Sequence, residues 1–235
     1  MSSRLSVSKF ECSPIGLAPM RIAQVSDLHN AGFGSGQEKL LSPIVGFAPD
    51  LIAVTGDLFS RKDESATDNS FAFIAGALKI APLFMCEGNH ELVMHRRFEL
   101  ESALKRLGVR ILIDEGVSYK GLYIYGLSAN PDKTALDRIP NRPMLLLAHR
   151  PELFTEYVKR ASGLTLSGHA HGGQARIFGQ GLFAPEQGIF PRYSKGGYKA
   201  NNMCMYVSAG LGNTVPVPRV FDPPELVLIE IKRKD

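Results

Sequence analysis

Short apolar runs alternate with amphipathic stretches along the first half of the chain. Apolar or alternating residues predict strands over residues 4–11, 20–26, 50–55 and 82–86. Helical spacing of apolar residues predicts helices over residues 37–47, 68–80 and 91–107, the last stopped by Gly108. In the second helix, Asp68 is a candidate cap, and one face collects Phe71, Ile74, Ala75 and Leu78. Strands that alternate with helices are typical of an α/β sheet.

The second half of the chain continues with short strands and then becomes rich in glycine. The pattern predicts a helix over residues 152–161 and strands over residues 109–113, 117–119, 122–127, 144–148 and 164–167. After Gly172, glycine, proline and aromatic residues predict hairpins and loops, followed by strands over residues 205–208 and 225–232. The whole pattern predicts two packed sheets with helices outside them, in a single domain spanning residues 1–235.

Composition excludes several classes of protein. With 44% hydrophobic and 21% charged residues over 235 positions, the chain is an ordinary globular protein. The three cysteines are odd in number and form no CxxC motif, which argues against a disulfide framework and favours the cytoplasm. No window approaches the roughly 20 apolar residues that span a bilayer, so any membrane contact is expected to be peripheral. A net charge of +4 suits an anionic substrate or surface and identifies neither.

Five apolar strands run directly into a short polar cluster. The clusters read QVSDLHN, VTGDLFSR, MCEGNHE, LLLAHRPE and TLSGHAHGGQ. They contain five of the six histidines of the chain, namely His29, His90, His149, His169 and His171. Because ligands collect in the crevice outside the carboxyl ends of strands in α/β sheets, we expect these clusters to line one site.

The residue types in the clusters match a site for divalent metal ions. Carboxylates, imidazoles and an amide oxygen suit Mn²⁺, Zn²⁺, Fe or Co²⁺ better than a soft metal or calcium. Side chains at i and i+2 of an extended segment point to the same side, so Asp27 with His29, and His169 with His171, can each grip an ion. Seven candidate ligands exceed the need of one ion: Asp27, His29, Asp57, Asn89, His149, His169 and His171. Two ions bridged by a carboxylate fit this number, and such pairs, ~3.5–4 Å apart, generate hydroxide and clamp phosphoryl groups.

The motifs D-x-H, GD, GNHE, H and GHxH, in this order, resemble the calcineurin-like metallophosphoesterase family. The segment GGQ…G…YVSAGLG…PEL resembles one bacterial branch of it, which ends its motif in GHxHGGQ and is often membrane-associated. The resemblance implies a four-layer α/β/β/α sandwich of two mixed sheets flanked by helices.

The resemblance also implies a role for each motif residue. Asp27, His29 and His171 would bind the first metal, and Asn89, His149 and His169 the second. Asp57 would bridge both ions. His90 would protonate the leaving oxygen or help to neutralise the phosphoryl group, and the nucleophile would be a metal-bound hydroxide.

The chain departs from the family pattern after Asp57. Many relatives carry an Asp that orients the GNHE histidine at the position of Ser60. Arg61 matches a phosphate-binding position of some phosphatases, although a surface arginine fits the sequence equally well. The aromatic residues of the glycine-rich segment include Phe178, Phe183, Phe190 and Tyr193. Packing under the loops is favoured for them over contact with an acyl chain.

The sequence therefore predicts a phosphohydrolase that uses two divalent metal ions, with phosphodiesterase activity favoured. An alternative is a UDP-diacylglucosamine-type pyrophosphohydrolase of lipid A synthesis, whose substrate is lipid-linked. A nuclease is a further alternative, which pI ≈ 9.0 permits, but the sequence shows no basic–aromatic array for single-stranded nucleic acid. A non-catalytic scaffold of the same fold is disfavoured because every expected ligand is present. The sequence does not reveal the oligomeric state.

Overall fold

A computed structural model describes residues 4–213 and 218–233 of the chain. Their strands are β1 (Ser6–Cys12), β2 (Met20–Val25), β3 (Leu51–Thr55), β4 (Leu83–Cys86), β5 (Arg110–Ile111), β6 (Glu115–Tyr119), β7 (Leu122–Gly126), β8 (Pro143–Leu147), β9 (Ser162–Ser167), β10 (Arg176–Ile177), β11 (Gln180–Gly181), β12 (Phe183–Ala184), β13 (Gly188–Ile189), β14 (Gly196–Ala200), β15 (Met203–Val207) and β16 (Glu225–Ile231). Their α-helices are α1 (Glu38–Phe47), α2 (Asp68–Ala77), α3 (Asn89–Val93), α4 (Arg97–Leu107), α5 (Lys133–Asp137) and α6 (Phe154–Arg160).

Two six-stranded sheets form the centre of the fold. The first has the order β1-β16-β2-β3-β4-β5, and the second has the order β14-β15-β9-β8-β7-β6. Both sheets are mixed, since β16 runs antiparallel to β2 in the first, while β14 and β6 pair antiparallel with their neighbours in the second. The strands β2, β3 and β4 are mutually parallel, as are β7, β8, β9 and β15.

Three apolar cores separate four layers. Ile22, Phe84 and Leu164 belong to the core between the two sheets. The helices α1, α2 and α4 pack on the outer face of the first sheet, and α5 and α6 pack on the outer face of the second. The predicted α/β/β/α sandwich is confirmed, because strands that are apolar on both faces need a covering layer on each side.

Most predicted strands and helices are confirmed, with small differences at their ends. The predicted face of α2 is confirmed for Ile74, which is buried, and for Phe71 and Leu78, which pack against the same core. It is wrong for Ala75, which is exposed, and it missed the buried residues Phe73 and Ala77. Asp68 does not cap this helix, since Thr67 occupies the N-cap position. The region that was predicted to form hairpins and loops also contains the regular strand β14, which pairs with β15.

The predicted helix over residues 91–107 is two helices, α3 and α4. The backbone is extended at Met94, with ψ 139°, and becomes helical again at Arg97. The carboxylate of Glu64 accepts hydrogen bonds from the backbone N–H groups of His95 and Arg96 at 3.1 Å each. These hydrogen bonds stabilise the break between the two helices. They join residues about 30 positions apart, so no local sequence pattern predicts them.

Candidate metal centre

The polar clusters that follow β2, β3, β4, β8 and β9 meet at one edge of the sandwich. One group of ligand atoms belongs to Asp27, His29 and His171, and a second belongs to Asp57, His149 and His169. A third group consists of His29, Asp57 and His90, and in each group the atoms lie within 4.8 Å of one another. The structure thus brings together six candidate metal ligands and His90; the seventh, Asn89, lies beside His149.

The first group is held in a ligating geometry by its surroundings. The Nε2 atom of His29 lies 3.4 Å from Nε2 of His171, which lies 3.5 Å from Oδ1 of Asp27. The Nδ1 atom of His29 is 3.1 Å from the carbonyl oxygen of Phe59. Because a carbonyl only accepts hydrogen bonds, Nδ1 carries the proton of the neutral ring, and the lone pair of Nε2 faces the group.

The second group shows the same arrangement. The Nε2 atom of His149 lies 3.5 Å from Oδ2 of Asp57 and 3.0 Å from Oδ1 of Asn89. Its Nδ1 is 2.7 Å from the carbonyl oxygen of Thr55, to which it donates. His169 uses Nε2 in a 2.6 Å hydrogen bond with Glu186, so Nδ1 remains for a metal ion. This carboxylate contact orients the ring, as is usual for metal-binding histidines.

Asp57 connects the two groups. Its Oδ2 atom lies 3.6 Å from Nε2 of His29 and 3.5 Å from Nε2 of His149. Separations of this length are too long for strong hydrogen bonds. Ligands about 2.1 Å from one metal ion lie about 3.0–3.4 Å from each other at octahedral or tetrahedral angles, which is close to the separations seen here. The donor set therefore fits divalent metal ions.

Electrostatics point to the same conclusion. Asp27 and Asp57 are 0% and 1% exposed, and a buried carboxylate needs a compensating cation. Burial alone would raise the pKa of Asp57, but the neighbouring imidazoles, His149 above all, hold it well below its usual range. Burial would conversely lower the pKa of His149, and Asp57 reverses this and raises it to about 10. Without an ion, a proton on His149 supplies the positive charge that a metal would otherwise provide.

Backbone strain is concentrated at the candidate ligands. Asp27, His29, Asp57, His169 and His171 all adopt left-handed conformations, with φ of 50°, 47°, 53°, 65° and 45°. Non-glycine residues rarely adopt such angles, which cluster at functional sites. The expectation that extended backbone directs i and i+2 side chains to one side is therefore wrong. Asp27 and His29 do share a group, whereas His169 and His171 belong to different groups.

Two glycines allow the ligand loops to approach closely. A Cβ atom on Gly168 would overlap the hydroxyl of Ser26 and the carboxylate of Asp27. A Cβ atom on Gly88 would overlap Asp57. Only glycine fits at either position, because each loop packs directly against a carboxylate of the other sheet or of a neighbouring strand.

Glu91 holds together the loops that carry Asp57 and Gly88, a role that the sequence reasoning did not assign. Its buried carboxylate accepts hydrogen bonds from the backbone N–H groups of Asp57, Phe59 and Gly88 at 2.8, 3.0 and 2.8 Å. Burial, assisted by the charge of Asp57, raises the pKa of Glu91 to about 7. The sequence did contain an indication of this role, since Glu91 is the last residue of the GNHE motif.

His90 is oriented without the Asp found in many relatives. The backbone N–H of Arg61 donates to Nδ1 of His90 over 3.2 Å, while Ser60 accepts a hydrogen bond from the N–H of Lys62. Because Nδ1 accepts, the neutral ring carries its proton on Nε2. Burial lowers the pKa of His90 to about 4, which keeps the ring neutral near pH 7.

Arg219 is a second residue that the sequence reasoning missed. Its side chain is 6% exposed, and its Nη2 atom lies 3.1 Å from Nδ1 of His171 and 2.6 Å from the carbonyl oxygen of Gly212. Nη1 is 3.4 Å from the buried carboxylate of Asp222. No motif identified Arg219, because it lies 48 residues beyond His171 and only the fold brings the two together.

A cavity of about 820 Å³ opens over the ligand groups. Its polar lining includes Asp57, Asn89, His90, His169 and His171, together with the charged residues Arg61 and Arg150. Its apolar lining includes Leu92 and Val93 from α3, with Leu182, Phe183 and Pro185 from the glycine-rich segment. The centre is thus accessible to a sizeable molecule with both polar and apolar parts.

The four-layer sandwich and its buried ligand set define a metallophosphoesterase. The chain belongs to the calcineurin-like phosphoesterase family, whose model matches residues 20–173. This confirms the resemblance seen in the motifs. Among the residues described, no helix has the length and apolar character that a membrane span requires.

Several bacterial proteins are similar in sequence. The Campylobacter jejuni metallophosphoesterase Cj0846, named as uncharacterized, is 27% identical over 92% of this chain and 60% of its own length. The Escherichia coli phosphodiesterase YaeI is 28% identical over 91% of this chain and 83% of its own length. The Bacillus subtilis metallophosphoesterase YkuE, also named as uncharacterized, is 26% identical over 93% of this chain and 81% of its own length.

The fold is also found in a solved structure. The NAD nucleotidase of Haemophilus influenzae superposes with a TM-score of 0.50 and 14% sequence identity. The match covers 82% of this chain and 45% of that protein. At this identity the likeness concerns the fold alone.

Proposed function

We propose that the protein is a phosphodiesterase that uses two divalent metal ions. The position of Asp57 carries the proposal: this buried carboxylate lies between two groups of inward-facing histidines, at 3.6 Å from His29 and 3.5 Å from His149. A carboxylate shared between two ligand groups is the arrangement that bridges paired ions. Asp57 lines a sizeable cavity, in which such a centre would bind a substrate.

The ligands divide between the two ions. Asp27, His29 and His171 would hold the first ion, Asn89, His149 and His169 the second, and Asp57 both. The mixture of oxygen and imidazole donors favours Mn²⁺, Zn²⁺, Fe or Co²⁺. When bound, such ions neutralise phosphoryl charge and lower the pKa of a coordinated water towards neutrality, which supplies the nucleophile.

His90 and Arg61 would act on the substrate. With Nδ1 occupied by the backbone N–H of Arg61, His90 donates a hydrogen bond from Nε2 to a phosphoryl or leaving-group oxygen. The side chain of Arg61 lies on the cavity wall, where its fixed charge would attract the phosphate. Both groups stabilise negative charge that grows during cleavage, without becoming covalently attached to the substrate.

Two observations favour a diester over a monoester. The cavity of about 820 Å³ is lined by residues beyond the ligand groups, so it is large enough for a phosphate that carries two substituents. A relative that is similar along 91% of this chain is named as a phosphodiesterase.

A second candidate is the pyrophosphate bond of a lipid-linked nucleotide sugar, of the UDP-diacylglucosamine type. The apolar lining residues Leu92, Val93, Leu182 and Phe183 favour it, because an acyl chain would shield these side chains from water. Hydrolysis of such a lipid, at a rate well above that of a simple diester, would select this candidate.

Hydrolysis of bis(p-nitrophenyl) phosphate with Mn²⁺ tests the proposed function. We expect Asp57→Asn and His169→Ala each to reduce the rate by at least about 100-fold, because each removes a metal ligand. The matched control is His95→Ala, which changes an exposed histidine in the turn between α3 and α4 and should retain full activity. Full activity in both ligand variants, or in the chelated enzyme, would overturn the mechanism.

A further inference from the structure

Large apolar side chains project into solvent beside the cavity. The hairpins β10–β11 and β12–β13, with a neighbouring segment, carry a group that we name the aromatic rim: Ile177, Phe178, Phe183, Ile189, Phe190 and Phe221. Phe178 is 105% exposed, Phe221 84% and Ile189 74%. The prediction that Phe178, Phe183 and Phe190 pack under loops is wrong, and among the four aromatic residues considered only Tyr193 is buried.

Three phenylalanines of the aromatic rim are also strained. Phe178, Phe190 and Phe221 have φ of 49°, 54° and 54°. Glycine or asparagine would fit these left-handed positions with less strain and would expose less apolar surface. Local stability therefore does not explain a phenylalanine at any of the three. Strained residues at exposed positions indicate a role outside the folding of the chain itself.

The aromatic rim is continuous with the mouth of the cavity. Phe183 pairs with Ile189 across β12–β13 and also lines the cavity. The N–H of Phe190 donates to Leu182, and the N–H of Leu182 donates to Ala175. Ala175 in turn bridges Val220, the neighbour of Phe221. Adjacent backbone segments thus carry all parts of the rim, and Phe183 connects the rim to the cavity.

The charge of this region is positive. Arg176 directly precedes Ile177, and Arg192 follows Phe190 by two residues. Asp222, which follows Phe221, is already paired with Lys195 at 3.6 Å and with Arg219 at 3.4 Å. The carboxylate of Glu186 is already engaged by His169 and by Arg150 at 3.0 Å. Exposed apolar side chains next to Arg176 and Arg192 match an interface with acyl chains and anionic headgroups.

We propose that the aromatic rim docks the protein on the surface of an anionic lipid bilayer, with the mouth of the cavity facing the lipid. Separate rings that stand clear of the protein do not form a surface against which a rigid protein partner could pack closely. A fluid acyl layer surrounds each ring without needing a complementary shape. The proposal concerns binding, and it does not depend on the proposed hydrolysis.

Sedimentation with vesicles tests the proposal. We expect the protein to bind vesicles of phosphatidylcholine with phosphatidylglycerol more strongly than vesicles of phosphatidylcholine alone. The double variant Phe178→Asn/Phe221→Asn should bind at least about tenfold more weakly, while its Tm stays equal or rises because asparagine tolerates left-handed angles. Phe98→Ser is the matched control, since Phe98 is 76% exposed on α4, outside the rim, and this variant should bind normally.

A fluorescence measurement locates the contact. The chain contains no tryptophan, so Phe178→Trp introduces a single indole. Its emission should shift to the blue when anionic vesicles are added, and the emission of Phe98→Trp should not. Hydrolysis of the soluble diester should be unchanged in all rim variants, so failure of docking and failure of the proposed function are distinguishable.

Three results of these measurements would overturn the proposal, and a fourth concerns self-association. The first three are absence of vesicle binding, undiminished binding by the double variant, and an unshifted emission of Phe178→Trp. Concentration-dependent self-association that the double variant abolishes would also overturn it, because the aromatic rim would then be an interface between copies of this chain.

Discussion

The histidine ligands depend on residues that hold the nitrogen facing away from the metal site. For His169 this residue is Glu186, whose carboxylate lies 2.6 Å from Nε2. Glu186 is located in the turn of the β12–β13 hairpin, between Ala184 and Gly188. The hairpin that carries part of the aromatic rim therefore also orients a candidate metal ligand.

We expect Glu186→Ala to weaken Mn²⁺ binding by about 10–100-fold, the usual effect of losing a residue that orients a metal ligand. Glu186→Gln should have a smaller effect, because an amide oxygen still accepts the hydrogen bond from His169. Titration of the metal-free protein with Mn²⁺ measures this directly. Glu156→Ala is the control, because Glu156 is an acidic residue of α6 that pairs with Lys159 and Arg160. Equal losses in the Glu186→Ala and Glu156→Ala variants would mean that loss of negative charge, and not the orientation of His169, is responsible.

At the scale of elements, the site depends on how the two sheets are aligned. Gln24 of β2 is fully buried between them, and its Nε2 donates to the carbonyl oxygen of Ser167 in β9 over 2.9 Å. The same group donates to the hydroxyl of Thr55 in β3 over 3.1 Å. These three strands lead into the loops of Asp27, Asp57 and His169, so one amide connects the elements that carry both ligand groups.

We expect Gln24→Leu to reduce the free energy of unfolding by about 1–3 kcal/mol, because Ser167 and Thr55 lose a buried hydrogen-bond partner. Mn²⁺ binding should weaken as well, since the loops of the two sheets would no longer be aligned. Urea denaturation and metal titration measure the two effects. Val7→Ala, a truncation of an exposed residue on edge strand β1, should change neither. A destabilised variant with unchanged metal affinity would refute the alignment role of Gln24.

At the scale of the whole molecule, we expect protons and metal ions to compete for one buried candidate site. Asp57 raises the pKa of His149 from its ordinary value of 6.5 to about 10 in the metal-free protein. A raised pKa means that protonation of His149 stabilises the fold fully below pH 6.5, and this stabilisation is lost as the pH rises towards 10. Metal binding has the opposite dependence, because the ligand must be neutral.

The Tm of the metal-free protein should therefore fall between about pH 7 and pH 10, and His149→Ala should flatten this dependence. Mn²⁺ at about 100 times its Kd should raise the Tm by about 5–10 °C, since it adds about 2.7 kcal/mol. This rise should be larger at about pH 8.5 than at about pH 6.5. Differential scanning calorimetry with and without a chelator measures the pH dependence of the Tm and its rise on metal binding. A metal effect that does not depend on pH would contradict the competition.

Local sequence determined much of the fold. The apolar strands and their polar ends were readable because an apolar run and the cluster that follows it are neighbours in the chain. The same applies to the candidate ligands, from Asp27 to His171, which lie within those clusters. The single domain over residues 1–235 and the roles of individual ligands stay predictions. The exposure of Ala75 on α2 and the break at Met94 were not readable, since each depends on contacts with distant segments.

The sequence by itself thus determined the layers, the family and the residues from which a metal centre can be built. The tertiary structure decided how the histidines of the two groups are brought together, through left-handed loops that no strand pattern describes. It also revealed Glu186 and Arg219 behind the ligands and exposed the aromatic rim at the mouth of the cavity. The physical reason is the range of the interactions: periodicity and turns act between neighbours, whereas orientation, burial and charge are set by residues far apart in the chain.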